Sequence, residues 1–464
     1  SDVPVALRPV ITKLLAPDRE QRYASASNLL ADLKPSAPAR FSISPRWAVA
    51  ALLPVVLLAA GWYWWSGRDT GRIDSLAVFP FENAGGGEDA EYLTDGLTES
   101  LIGNLSQMPD LKVMSRSAMF RYRGKEFDPH AVGQELGVRA VLTGRVVRHG
   151  DDLSVNVELV GVEDNTALWA GQYNSRKVND ALAVQADIAS QIVEKLRFRL
   201  SSQETTQLAN YQTRNPEAYQ LYLKGRYYAG KFDPENLARG REYLQQAVAA
   251  DPNFALAYDG LSYYYNLLVD WYEPATEVGP KAIAAARRAL ELDPNLVEAH
   301  VELADSHMFY DFDWPLVERE FRRAIELNPN YALGHIYFAW YLVEMDRGEE
   351  ALAEARKAVQ LDPLSSEIAF TAGWISYYTR HYEDALTQVR KSQELDPNQW
   401  MSYQVEGQAN QQLKRYPEAI AAFQKAAKIL NGIPSPARAE EARVYALLGK
   451  RDEAEFNSRR GVPT

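Results

Sequence analysis

Cysteine is absent from all 464 residues. That excludes disulfides, thiol catalysis and cysteine-ligated zinc sites. Histidine is scarce, at six, and scattered. No GxSxG elbow, HExxH pair or EF-hand loop occurs, so no nucleophile has a partner at a catalytic spacing. Long lysine and arginine runs are also missing, and the formal net charge is −12. This balance argues against nucleic acid as the main partner. The triplet at 85–87 lacks GxGxxG spacing and reads as a turn. His300, Asp305 and His307 share one predicted helix, but zinc pairs usually sit four residues apart, so His300 reads as a packing residue. Hydrophobic residues make up 46% of the chain, enough for real cores, and the length suits roughly three domains. A chain that opens on Ser1 rather than methionine is expected to be a processed product or a fragment.

Proline is placed with regularity. Pro252, Pro294, Pro329, Pro363 and Pro397 close the phrases AVAADPN, ALELDPN, AIELNPN, AVQLDPL and SQELDPN. A fixed period in this range marks a stacked helical array. Proline ends one helix because it lacks an amide proton and disfavours the α region before it. Ala282, Ala286 and Ala289, like Ala351, Ala355 and Ala358, lie on one helical face and let two helices approach closely. These features resemble the tetratricopeptide repeat (TPR). Tyr258, Leu261 and Tyr265 match its first helix, Gly373 and Gly407 its glycine position. Phe321 with Ala324, and Ala419, Phe423 and Ala426, match its second helix. His300 and His335 depart from the pattern at a bulky position. The array is expected over 215–460, as six helix pairs and a shorter seventh that caps it. The long first interval requires an insertion, expected at 270–280.

Residues 47–65, WAVAALLPVVLLAAGWYWW, carry no charge and are bracketed by aromatic rings. At 1.5 Å per residue they reach about 28 Å, near the hydrocarbon thickness of a bilayer. A transmembrane helix is expected there. Lys34, Arg40 and Arg46 precede it, which favours a cytoplasmic N-terminus.

Before it, after residues 1–34, lies a linker at 35–46. LRPVITKLLAPDREQRYASASNLLADLK reads as two amphipathic helices. Leu14, Leu15, Pro17, Asp18, Arg22, Tyr23, Ser25, Ala26, Leu29 and Leu33 resemble the end of the C-lobe of bacterial Ser/Thr protein kinases. The resemblance gives Arg22 a structural role, pairing with a glutamate that this chain does not contain. It implies a kinase as the parent protein. ATP and Mg²⁺ are expected only for the missing kinase domain, because the Gly-rich loop, HRD and DFG motifs do not occur here. No cofactor is expected in this chain.

Residues 75–200 read as a compact α/β sandwich-like unit. Strand runs at 75–81, 111–116 and 139–174 alternate with helical patterns at 90–108, 128–137 and 178–200. AVFPFEN, YLTDGLTESL, ELGVRAVLTGRV, LWAGQYN and AVQADIASQIV resemble the TolB N-terminal-like domain of bacterial membrane proteins. Asp95, Thr98 and Glu99 read as solvated helix residues rather than a polar site.

In the TPR family the first helices line the concave face. By that resemblance Tyr263, Phe309, Trp340, Phe370, Trp374, Tyr377 and Tyr378 point into the groove, with Asp259, Asn266, Asp305 and Gln408 nearby. Such rings are good anchors for an extended, partly apolar peptide or protein segment. The expected whole is multi-domain. It comprises a kinase-like helical remnant, one transmembrane helix, an α/β unit and an all-α TPR solenoid. The expected role is the extracytoplasmic sensing and docking part of a single-pass kinase in the bacterial inner membrane, with a homodimer as a possible signalling form. The alternative is a non-enzymatic TPR scaffold of the cell envelope.

Overall fold

The computed structural model describes residues 8–33, 73–85, 88–106, 108, 111–196, 213–229, 234–269, 273–430 and 436–461. The segment 47–65 lies outside them. Among the described residues, no helix is long and apolar enough to cross a membrane. The chain divides into two units, Ser1–Gly71 and Arg72–Thr464.

In the first unit, α1 (Arg8–Leu14) and α2 (Ala26–Leu33) flank a short 3-10 turn. The Tyr23 hydroxyl donates to Asp32 at 2.8 Å, and the Lys13 ammonium lies 4.5 Å from the centre of the same ring. Arg22 Nε donates to the Ala16 carbonyl at 2.7 Å, so the arginine ties the turn to the end of α1. Leu15 and Leu30 stay exposed. The hairpin has too little apolar surface of its own to form a core.

The second unit opens with a three-layer α/β/α domain. Its elements are β1 (Ser75–Val78), β2 (Glu82–Asn83), α3 (Glu88–Ser106), β3 (Lys112–Val113), α4 (Arg116–Phe120), α5 (Pro129–Leu136), β4 (Ala140–His149), β5 (Asp152–Gly161), β6 (Ala167–Lys177) and α6 (Ala181–Lys195). Strand order is β3-β1-β4-β5-β6, with β2 beside β4. β1 pairs in parallel on both sides, while β4, β5 and β6 form an antiparallel meander. All four β1 residues are buried, as a strand covered on both faces must be. Its side chains alternate: Leu76 and Val78 join the core under α3 and α6, and Ala77 and Phe79 join the core under α4 and α5. Asp128 caps α5 by accepting from the His130 amide, with Pro129 at the first helical position. The short helix α4 carries no helical repeat long enough to read from sequence.

Among the described residues, seven helix pairs follow. Their first helices are α7 (Pro216–Ala229), α9 (Ala255–Val269), α11 (Val297–Phe309), α13 (Ala332–Glu344), α15 (Ser366–Tyr378), α17 (Trp400–Gln412) and α19 (Pro436–Leu447). The second helices are α8 (Pro234–Ala250), α10 (Ala275–Leu292), α12 (Trp314–Leu327), α14 (Gly348–Leu361), α16 (Tyr382–Leu395), α18 (Tyr416–Ile429) and α20 (Arg451–Gly461). First helices of neighbouring pairs pack on one another along the array. This is a TPR-like solenoid, as the proline spacing predicts. A Cβ on Gly373 would lie 2.6 Å from Val389, and one on Gly407 would lie 2.5 Å from Phe423, so only glycine allows these helices to meet. Part of the long interval is taken up by longer helices: α9 and α10 have 15 and 18 residues, against 13 and 14 in α13 and α14.

Four of the five D/N-P turns are held by their own side chain; Asp362, in the fifth, makes no such bond among the described residues. Asp251, Asp293, Asn328 and Asp396 accept from the amide two residues on, at 2.9–3.0 Å. Between the helices of a pair, the chain turns through a left-handed residue at Phe312, Asp346, Arg380, Lys414 and Gly449. This second ruler has the same period as the prolines. It arises because a helix that must reverse at once needs a residue with positive φ at its end.

Candidate functional site

The α/β domain is not a separate bead on the chain. Helix α3 lies against α7, and one apolar core runs from β1 through α3 into α7 and α9. Gly96 allows this approach: a Cβ there would lie 2.8 Å from Leu223 Cδ2. The turn after α14 docks on the opposite face of the sheet, where Leu364 joins Met114, Ala118 and Met119. Lys112 Nζ donates to the Gln360 carbonyl at 3.1 Å, and Asn328 Nδ2 donates to the Ser106 carbonyl at the end of α3.

The inner face of the array therefore has two ends. The N-terminal ends of the inner helices carry acids and tyrosines and face the α/β domain. Asp259, Glu298, Glu302 and Glu367 lie there with Tyr222, Tyr263, Tyr331 and Tyr337. Together with α3 and the residues around Ser115 they enclose a cavity of about 210 Å³. Glu99 on α3 is its anchor. It accepts from Arg116 at 2.8 Å and from Arg226 at 2.6 Å. Burial works to raise the Glu99 carboxyl, but the two guanidinium groups outweigh it and hold the group below its usual range. Burial pushes Asp259 up to about 8, with Glu298 adding to the shift and Arg226 opposing it. Glu302 is raised well above the ordinary range by burial and by Asp259 and Asp305.

The C-terminal ends of the inner helices are aromatic. Phe309 meets Trp340 edge-on at 6.1 Å, Trp340 meets Trp374 at 4.8 Å, and Trp374 stacks on Tyr378 at 6.1 Å. Three helices contribute one continuous row because residues three, four or seven apart share a helix face. Phe309 and Tyr378 are 40% and 54% exposed. The buried indole nitrogen of Trp374 has no hydrogen-bond partner among the described residues.

The structure sorts the predicted groove residues. Phe309, Trp340, Trp374 and Tyr378 form the row. Tyr377 is half-buried between Tyr378 and Tyr382. Phe370 is buried, 5.8 Å from Trp374, and supports the row from below. Tyr263 lines the cavity beside the α/β domain, under the Arg226 guanidinium at 5.3 Å. The solvated reading of Asp95, Thr98 and Glu99 is corrected. Asp95 and Thr98 are buried, Thr98 Oγ1 accepts from the Phe81 amide, and Asp95 pairs with Arg123 at 3.0 Å. The reason is tertiary: Thr98 and Asp95 meet other elements of their own domain, and Glu99 meets Arg226 of the repeats.

Departures within the repeats carried the missed signal. Asn328 stands where most phrases have aspartate, and only an amide can donate to the Ser106 carbonyl. Leu364 stands where the others have asparagine, and it packs against the sheet domain. The two irregular histidines are also explained. His300 bridges Glu320 at 2.7 Å and the Pro294 carbonyl at 3.0 Å, and His335 bridges Glu354 at 2.6 Å and the Pro329 carbonyl at 2.9 Å. Each ties the preceding turn to the following helix. His307 is engaged separately with Asp311 at 2.7 Å, so the two histidines of α11 do not converge on one point.

Residues 72–191 match a family model described as the second domain of HilA/YgeH-like transcriptional regulators. A curated relative, a putative adenylate cyclase 3 of Rhizobium meliloti (strain 1021), is 32% identical over 232 residues. The match covers 50% of this chain and 39% of that protein, so the chain spans well under half the relative's length. Among solved structures, PilF of Pseudomonas aeruginosa is 23% identical, with a TM-score of 0.35 over 44% of this chain and 91% of PilF. YrrB, described as a TPR protein with an unusual peptide-binding site, is 20% identical, with a TM-score of 0.28 over 40% of this chain and 91% of YrrB.

Proposed function

We propose that this chain is the protein-docking portion of a signalling protein, and that its aromatic row binds an extended, partly apolar peptide or protein segment. The observation that carries the reading is the row itself: Phe309, Trp340, Trp374 and Tyr378 in contact, with exposed ends. Large rings on a rigid face bind at low entropy cost.

The finer reading makes the parent protein a single-pass Ser/Thr kinase. The order of residues around Arg22 supports it, as does the uncharged segment 47–65. On this reading the N-terminus is cytoplasmic and the repeats are periplasmic. Docking would alter the pairing of protomers, and ATP and Mg²⁺ belong to the kinase domain. The α/β domain is then the TolB-like element between membrane and repeats. A family model from transcriptional regulators and a relative described as a putative adenylate cyclase support a module that serves several kinds of effector. A non-enzymatic envelope scaffold would use the same aromatic row. Protease access to the repeats in intact spheroplasts tests the topology.

The docking test is direct. Peptides selected on the wild-type chain are titrated by tryptophan fluorescence against Trp374→Ala and against Trp340→Ala. Each variant is expected to weaken binding at least about tenfold, because each removes a large ring from the row. Unchanged affinity in both variants, with intact folding, would remove the row from function.

A further inference from the structure

We infer that the cavity between the α/β domain and the inner helices binds a small organic cation bearing an ammonium group. The inference is independent of peptide docking on the aromatic row.

Charge is the first argument. Glu99 is committed to Arg116 and Arg226, the only basic residues in the lining. Four further acids line the cavity: Asp259, Glu298, Glu302 and Glu367. Glu367 accepts from the Tyr337 hydroxyl at 3.0 Å, and Glu302 accepts from Asn266 at 2.8 Å. Asp259 is different. It is 5% exposed, and its Oδ1 has no hydrogen-bond partner among the described residues. A buried acceptor left unmet is costly, and native structures rarely tolerate one without a use.

The walls are the second argument. Tyr222, Tyr263, Tyr331 and Tyr337 supply aromatic walls beside the acids, and carboxylates add charge-assisted hydrogen bonds to an N–H donor. Two arginines paired with Glu99 stiffen one side of the chamber. A metal ion is a poor match: among the described residues, no three acidic or histidine side chains converge to hold one. The acids are spread around the chamber, as suits a cation with several N–H donors or with charge at two ends.

Size is the third. A volume of about 210 Å³ lies below the usual range for drug-sized ligands and corresponds to roughly seven water molecules. A short diamine fits that scale.

The upward shifts of Asp259 and Glu302 agree with a chamber that holds excess acid when empty. An entering cation would favour the ionised carboxylates and expel protons.

The test uses the whole chain. 1,4-Diaminobutane is titrated by calorimetry and by thermal shift, with 1,4-butanediol as the neutral isostere and MgCl₂ as the inorganic cation. Binding and a raised Tm are expected for the diamine alone. Asp259→Asn is expected to weaken diamine binding at least about tenfold while leaving the fold intact, because it removes charge and keeps shape. Glu302→Gln provides a second variant with the same expectation. Failure of the diamine to bind, equal binding of the diol or of Mg²⁺, or full binding by both folded variants would overturn the inference.

Discussion

The two ends of the inner helices teach different lessons about one surface. At the N-terminal ends, acids and tyrosines are covered by α3 and α4, and Glu99 of α3 meets Arg226 of α7 across the seam. At the C-terminal ends, rings of the same helices meet each other and leave an open edge. Both ends follow one helical periodicity. What differs is the cover. A polar end that is covered must satisfy its charges internally, whereas an aromatic end left open keeps its contact area for a partner.

The sharpest way to break the contrast is Glu99→Ala. It leaves Arg116 and Arg226 facing each other without their shared carboxylate. Removing one partner of a buried ion cluster costs about 3–5 kcal/mol. Urea unfolding should show that loss, and limited proteolysis should attack the α/β domain first, with the aromatic row unaffected. A neutral result would mean that the seam is held by apolar packing alone.

Gly96→Leu attacks the same seam by volume. The new side chain would collide with Leu223, and overpacking of this kind costs roughly 1–3 kcal/mol. The companion change Leu223→Ala should restore part of the loss. No rescue in the double variant would argue against direct contact of α3 with α7.

The smallest effect sharpens the acid end. Asp259 ionises near 8 in the folded chain, against an ordinary carboxylate value near 3.8 when unfolded. The folded state thus holds a proton that the unfolded state releases. Its contribution is present below the unfolded value and is lost as pH rises toward about 8. Glu298, Glu302 and Arg226 face the same space and modulate the shift. Asp259→Asn should therefore flatten the fall in stability across that window, by less than the roughly 1.4 kcal/mol per pH unit that one proton allows. Parallel pH profiles for variant and wild type would contradict the assignment.

Much of the array was legible because its causes are local. Proline cannot continue a helix, an aspartate or asparagine before it folds back on its own backbone, and small residues at Ala282, Ala286 and Ala289 permit close helices. The order of strands and helices in 75–200 was legible from alternation and from the Asp128-Pro129 start. The docking of that domain was not. Glu99 and Tyr263 look like a solvated helix residue and a groove residue until α3 is set against α7. Only Asn328 and Leu364, as exceptions within a regular phrase, hinted at a surface touching something outside the repeat.

The sequence alone therefore determined the helix pairs, their count and their turns, since each depends on residues a few positions apart. The alternation of strands and helices in the α/β domain was largely legible, because burial imposes a period on its strands, but its three layers and the short helix α4 were not. Only the tertiary structure decided which part of the inner face stays open, and that buried acids and tyrosines share a chamber. The reason is physical: a side chain's charge and exposure depend on what packs against it, and here the packing joins residues more than a hundred positions apart along the chain, as Arg226 and Glu99 are.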